Sequence, residues 1–207
     1  MVGSEKLLGI IMAGGRGTRL MPLTANRPKP MVPVLGRPVI DYVKDAMVAA
    51  GLNEIIVTTG YQGEQLIDHV NSWNVKSRVN QESTPMGTAG SVGLLSDLLK
   101  DTFVVGSGDS VASFDIADLI KSHRESKAKV TMALWKVEDP KEFGIVGLSR
   151  EHLGKLESDL SEGYISRFKE KPTAEEAFSN LINAGLYIVE PEVMELIPKG
   201  EKYDFSK

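Results

Sequence analysis

Short apolar runs alternate with amphipathic stretches over the first two-thirds of the chain, and this alternation restricts its architecture more than any other feature. Residues 7–12, 54–59, 103–106 and 130–137 are short and rich in apolar side chains, as buried strands are. Between them Ile40, Val43, Met47 and Ala50 recur at helical spacing, with Asp41, Lys44 and Asp45 off that face and Gly51 placed to stop the run. Leu66, Ile67 and Val70 repeat the pattern, as do Val92, Leu95 and Leu99. Such alternation implies an α/β fold with a mostly parallel sheet covered on both faces. From Glu142 onward the runs become shorter and alternate with polar residues, at 144–148, 152–156 and 164–168, which implies a smaller antiparallel part.

The chain has 207 residues and no internal repeat or linker-like tract, so a single domain is expected over 1–207. Its parts are 1–141 and 142–207. A formal net charge of −4 gives no global basic field, which argues against nucleic acid or an anionic membrane as partner. The absence of cysteine excludes a disulfide frame, thiolate catalysis and a zinc–thiolate site, and makes the cytoplasm the default location. The amino end carries Glu5 and an apolar run too brief for a membrane span, without a cleavage pattern. His69, His123 and His152 lack ligand spacing and are read as surface or structural residues.

After the first apolar run the sequence reads M-A-G-G-R-G-T-R-L-M-P-L-T-A-N-R-P-K-P-M, a glycine-rich turn followed by a basic segment at what becomes a sheet's carboxyl edge. Gly14, Gly15 and Gly17 permit positive φ and let backbone N–H groups converge on an anion, although an ordinary βα turn would use similar residues. Arg19 offers a planar fork of donors for phosphate oxygens, and Lys29 a compact charge between Pro28 and Pro30. A dinucleotide fingerprint would open a helix at once, but Pro22, Pro28, Pro30 and Pro33 forbid that here. The P-loop G-K-S/T pattern is absent.

The ordered string G-G-x-G-T-R-L-x-P-L-T followed by P-K-P-M resembles the signature of the sugar-phosphate nucleotidylyltransferases. Further segments in family order extend the resemblance over nearly the whole chain: P-M-G-T-A-G from Pro85, G-D at Gly108 and Asp109, F-G-I-V from Phe143, F-K-E-K-P from Phe168 and N-A-G-L-Y from Asn183. The resemblance implies a Rossmann-like sheet with a smaller antiparallel sugar-binding part. It also implies that Ala13, Gly14, Gly15, Gly17 and Thr18 hold a nucleotide, with Glu82, Gly87 and Thr88 near its base or ribose. Glu82 would suit guanine, whose N1–H and N2–H₂ are adjacent donors, while neighbouring Gln81 would suit a pyrimidine. A solvated loop carboxylate and a helix N-cap at Thr88 are the competing readings.

By the same resemblance Asp109 is the Mg²⁺ ligand, with an Asx-turn as its alternative role. Members of the family often carry Asn where this chain has Ser107. Glu170 and Lys171, on opposite faces if extended, are expected to bind sugar hydroxyls and the sugar 1-phosphate, or else form a surface ion pair. Gly144, Asn183 and Gly185 complete the expected sugar side, with bulges or a strand-initiating turn as alternatives.

The implied reaction joins a nucleoside triphosphate, GTP favoured, to a hexose 1-phosphate, mannose 1-phosphate favoured, with Arg19, Lys29, Asp109 and Lys171 as catalytic residues. Glucose-1-phosphate thymidylyl- or uridylyl transfer and a non-catalytic nucleotide-sugar sensor are the alternatives, and a homo-oligomer is expected. The family's second metal-binding aspartate falls in a W-x-D-I/V-G-like segment not found here, and Asp204 comes too early to match it. The chain is therefore expected to lack the C-terminal end of a longer enzyme and to be poorly active by itself.

Overall fold

The computed structural model describes residues 7–60, 63–111 and 115–206; Glu5 lies outside them. In chain order the regular elements are β1 (Leu8–Met12), β2 (Pro33–Val34), β3 (Arg37–Pro38), α1 (Val39–Ala49), β4 (Glu54–Thr59), α2 (Gly63–Asn71), β5 (Lys76–Gln81), α3 (Gly87–Gly93), β6 (Phe103–Ser107) and α4 (Ile116–Ser126). They are followed by β7 (Val130–Lys136), β8 (Gly144–Ser149), β9 (Tyr164–Glu170) and β10 (Leu181–Val189). The chain divides into two compact units, residues 1–131 with 185–205, and residues 132–184 with 206–207. Residues 185–205, grouped with the carboxyl-terminal part in the sequence reading, thus cluster with the first unit.

In the first unit β1 pairs in parallel with β4 and with β6, and β4 pairs in parallel with β5. The carboxyl half of β10 then runs antiparallel to β6, from Leu186 opposite Gly106 to Val189 opposite Phe103. Ile10, Ile11, Ile55, Ile56, Val57, Phe103, Val104 and Val105 are fully buried, which is why these strands read as continuous apolar runs. Helix α1 lies so close that a Cβ at Gly9 would come 2.9 Å from the Met47 sulfur, and one at Gly106 would come 3.0 Å from Met47 Cε. Two glycines on adjacent strands thus make the socket for one buried methionine. The fold is mixed α/β, with a mostly parallel sheet flanked by helices, as the alternation implied.

A small separate hairpin pairs β2 with β3. Its turn, Leu35-Gly36, has φ of 49° and 79°, the two positive values that a tight type I′ connection requires. In the second unit β8 and β9 are antiparallel, from Gly144 opposite Glu170 to Ser149 opposite Tyr164, with a register shift between Gly147 and Leu148. The amino half of β10 joins β8 at Ile182 and Ile145.

The helix expected through Val92, Leu95 and Leu99 ends at Gly93, with Leu95 and Leu99 buried in the turns and irregular chain that follow, and one expected strand does not form. Residues 152–156 are a turn and irregular chain: Leu153 has φ 59° and is 89% exposed, so the apolar alternation there buries no face. Five elements lie outside the runs that signal strands and helices: β2 and β3 with two residues each, α4, β10, which contains N-A-G-L-Y, and β5, a charged edge strand with Val79 as its one aliphatic residue. Among the described residues no helix is long and apolar enough to cross a membrane.

Candidate functional site

The glycine-rich loop leaves β1 at the carboxyl edge of the parallel strands. Ala13 is buried, and its N–H donates to the Thr58 carbonyl at 2.7 Å, which ties the loop's first residue to the end of β4. Gly14 and Gly15 are exposed, and a Cβ on Gly15 would meet nothing within 4 Å. Packing within the described chain therefore gives no reason for glycine at 15. Of the three loop glycines only Gly17 has positive φ, at 62°, so the conformational freedom expected at all three is used at one.

Gly17 organises the segment that follows. The Thr24 hydroxyl donates to its carbonyl at 2.8 Å, and a Cβ on Gly17 would lie 2.9 Å from both Lys29 Cβ and Thr24 Cγ2. The loop folds back on itself at this point, and the Lys29 stem packs directly on Gly17. No α-helix forms until Val39; Thr18–Leu20 and Lys29–Met31 are single 3₁₀ turns, as the prolines required. Thr18 and Arg19 are exposed on the first of them.

Lys29 donates to Asp109, pairing the basic segment with the turn that follows β6. Gly108 fixes that turn against β1: its N–H donates to the Met12 carbonyl at 2.8 Å, and a Cβ there would lie 2.9 Å from Ile11 Cγ2. The Ser107 hydroxyl donates to the other Asp109 oxygen at 2.5 Å, so serine itself supplies a hydrogen bond at this position. Burial alone would raise the Asp109 pKa, but the hydrogen bonds from Lys29 and Ser107 outweigh it and hold the carboxyl below its ordinary value. Asp109 is ionised at neutral pH. Its side chain is 29% exposed and that of Lys29 31%, so the pair remains reachable from solvent.

The donor set fits a hard divalent cation. A carboxylate offers about four lone-pair positions, of which Lys29 and Ser107 take two. Among the described residues no three His, Asp, Glu or Cys side chains cluster as a metal cage, and Mg²⁺ is commonly held by one or two carboxylates with phosphate oxygens.

Glu82 is more engaged than the sequence implied. Its N–H donates to the Thr59 carbonyl at 2.7 Å, and its carboxylate accepts from the Met86 N–H at 3.1 Å and from the buried Ser91 hydroxyl. It thereby holds α3 to the end of β5. Glu82 Oε1 lies 3.9 Å from where a Cβ on Gly14 would stand, which places this carboxylate beside the glycine loop. Gln81, on the last position of β5, is exposed. Thr88 spends its amide and hydroxyl on residues 204 and 205, contacts that no sequence signal announced.

Gly144, Glu170, Lys171 and Asn183 belong to the second unit, and Gly185 to the first. A Cβ on Gly144 would come 2.6 Å from Phe168 Cζ and 2.8 Å from Glu170 Oε2, so this glycine makes room for the carboxylate facing it across the β8–β9 pair. Glu170 and Lys171 are both exposed. They do not alternate as an extended strand would: Lys171 has φ 43°, and its N–H donates to the Phe143 carbonyl at 2.9 Å as the strand ends before Pro172. Asn183 stands inside β10, two residues past its start, and is not a strand-initiating turn. Gly185 has φ 74°, and a Cβ there would be 3.1 Å from Ser107 Cβ, so this glycine lies directly against the residue that supports Asp109.

A family model described as "Nucleotidyl transferase" matches residues 8–206. The mannose-1-phosphate guanyltransferase of Yarrowia lipolytica is 35% identical over 196 residues, covering 91% of this chain and 51% of the relative. The chain thus spans about half the length of the curated relatives it matches. A solved Bacillus anthracis protein assigned as a glucose-1-phosphate thymidylyltransferase superposes with a TM-score of 0.79 at 27% identity, covering 93% of this chain and 76% of that one. HddC from Yersinia pseudotuberculosis, solved with GMP-PN, gives a TM-score of 0.71 at 25% identity, covering 97% of this chain and 83% of that one.

Proposed function

Because this chain belongs to the nucleotidyl transferase family, we propose that it joins a nucleoside triphosphate to a hexose 1-phosphate and releases pyrophosphate. GTP and mannose 1-phosphate are the favoured pair. The observation that carries this reading is the Lys29–Asp109 pair, which sets a cation and a metal-competent carboxylate beside an open glycine loop. The base and the sugar rest on likeness: curated relatives are named mannose-1-phosphate guanyltransferases, and one structural neighbour was solved with GMP-PN.

In this reaction an oxygen of the sugar phosphate attacks the α-phosphorus in line, one P–O bond forms, and the bond to the leaving pyrophosphate breaks. The attacking phosphate is already ionised at neutral pH, so no general base is required. The barrier is repulsion between anions, and positioned positive charge lowers it. The loop N–H groups and Lys29 receive the triphosphate, and Arg19 takes up charge that grows on the leaving group. Lys171 holds the sugar phosphate, while Glu170 and Asn183, with Gly144 and Gly185 giving room, accept the hexose. Asp109 is the residue that would hold Mg²⁺, which when bound neutralises phosphate charge and orients the oxygens.

Phosphorus NMR of the chain mixed with GTP, mannose 1-phosphate and Mg²⁺ tests the reading. Two coupled diphosphate resonances and free pyrophosphate should replace the triphosphate signals, and Asp109→Ala should prevent this. Release of inorganic phosphate in place of pyrophosphate would contradict nucleotidyl transfer.

A further inference from the structure

Residues 201–205 cross the amino end of α3. The Tyr203 N–H donates to the Met86 carbonyl, and the Gly90 N–H donates to the Tyr203 carbonyl, both at 2.9 Å. Asp204 Oδ1 accepts from the Thr88 N–H at 2.9 Å and from its hydroxyl at 3.3 Å, and the Thr88 oxygen accepts from the Phe205 N–H at 2.9 Å. The Phe205 ring stacks on Tyr187 of β10, with centroids 4.8 Å apart and planes inclined by 23°.

Two glycines of the P-M-G-T-A-G segment face this crossing. A Cβ on Gly87, whose φ is 76°, would lie 2.6 Å from the Tyr203 carbonyl oxygen and 2.7 Å from Asp204 Oδ1. A Cβ on Gly90 would lie 2.9 Å from the Glu201 oxygen. The neighbours that demand glycine here are thus residues of the chain itself.

Helix α3 has seven residues, G-T-A-G-S-V-G, three of them glycine. So short and glycine-rich a helix does not hold itself together in water. It is held from two sides, by Glu82 at Met86 and Ser91 and by Asp204 at Thr88. Loosening one side loosens the other's partners, and Glu82 adjoins the glycine loop at Gly14.

We propose that Asp204 is a positioning residue for the nucleotide: by fixing Thr88 and α3 it keeps Glu82 and the adjoining glycine loop in the geometry that receives the base and triphosphate. This rests on the nucleotide-binding reading above.

The test is calorimetric titration of the full chain, of Asp204→Ala and of Asp204→Asn with Mg·GTP and separately with mannose 1-phosphate, with amide exchange followed over residues 86–93. Loss of a capping acceptor corresponds to roughly a five- to tenfold effect. Asp204→Ala should weaken Mg·GTP binding by about that factor, leave mannose 1-phosphate binding unchanged and speed exchange at Thr88. Asp204→Asn keeps an acceptor oxygen and should bind Mg·GTP nearly as the parent does. Should Asp204→Ala not fold, Thr88→Val, which removes the hydroxyl and keeps the amide, should show a smaller loss confined to the nucleotide together with faster exchange over residues 86–93 in the absence of nucleotide, which loss of a direct nucleotide contact would not produce.

Undiminished Mg·GTP binding by Asp204→Ala overturns the inference. So does an Asp204→Asn variant as weak as the alanine, or equal weakening of both ligands with exchange raised throughout the chain. A parent chain that binds no nucleoside triphosphate overturns the functional reading and this inference together, whereas binding that ignores Asp204 overturns the inference alone.

Discussion

Lys29 donates to Asp109 across 80 residues of sequence, closing the glycine loop's basic segment onto the turn after β6. The ammonium therefore occupies one carboxylate oxygen that a divalent cation would use. Lys29→Met should tighten Mn²⁺ binding several-fold when no nucleotide is present, read by electron paramagnetic resonance, and at the same time weaken triphosphate binding. Unchanged Mn²⁺ affinity would show that Lys29 does not compete for Asp109.

Arg19 stands on the exposed 3₁₀ turn that follows Gly17. Its proposed work is on the leaving pyrophosphate, whose charge grows only as the bond breaks. Arg19→Ala should lower kcat about a hundredfold and shift nucleotide Kd far less. Parallel losses in both would place Arg19 in ground-state binding.

Glu82 serves α3 before it serves any base. Glu82→Ala leaves the Ser91 hydroxyl and the Met86 N–H without their acceptor, a loss of about 2 kcal/mol in unfolding free energy. Denaturant melts should show a lower midpoint at unchanged slope. An unchanged midpoint would mean that the carboxylate carries no structural load.

The parallel strands and their helices were legible because both faces of β1, β4 and β6 are buried, so apolar runs and helical spacing reported directly on packing. β5 was not, because an edge strand with exposed lysine and glutamine is defined by its pairing with β4 and not by its own residues. The site divides similarly. Lys29 and Asp109 could be named from their motifs, but their contact could not, since it depends on Gly17 supporting Lys29 and Gly108 pinning the turn to β1. Thr88 could likewise be named from P-M-G-T-A-G, but its bonds to Asp204 and Phe205 could not, because those residues lie 116 and 117 positions away.

Glu190, half-buried at the end of β10, anchors a small polar cluster around buried His123. It accepts from the Thr102 hydroxyl at 2.7 Å and from His123 Nε2 at 3.0 Å, while His123 Nδ1 meets the Thr131 hydroxyl at 2.8 Å. Burial pushes its pKa up, but the Thr102 and His123 hydrogen bonds outweigh this, and the folded value lies below the ordinary 4.5. A depressed carboxylate stabilises the fold fully above its unfolded pKa, and that stabilisation fades as pH falls through the folded value. Glu190→Gln should therefore cost about 1 kcal/mol at pH 7, with the difference from the parent shrinking below pH 4.5. A difference that grows on acidification would contradict the sign.

Pyrophosphate release, measured for GTP, dTTP, UTP, CTP and ATP against mannose 1-phosphate and glucose 1-phosphate with Mg²⁺, tests the central claim most directly. Release should be slow but detectable, fastest with GTP and mannose 1-phosphate, and should be lost in both Asp109→Ala and Lys29→Ala. Faster release with a pyrimidine triphosphate would contradict the guanine assignment, and no release from any pair, despite tight binding of a nucleotide sugar, would contradict the transferase reading itself.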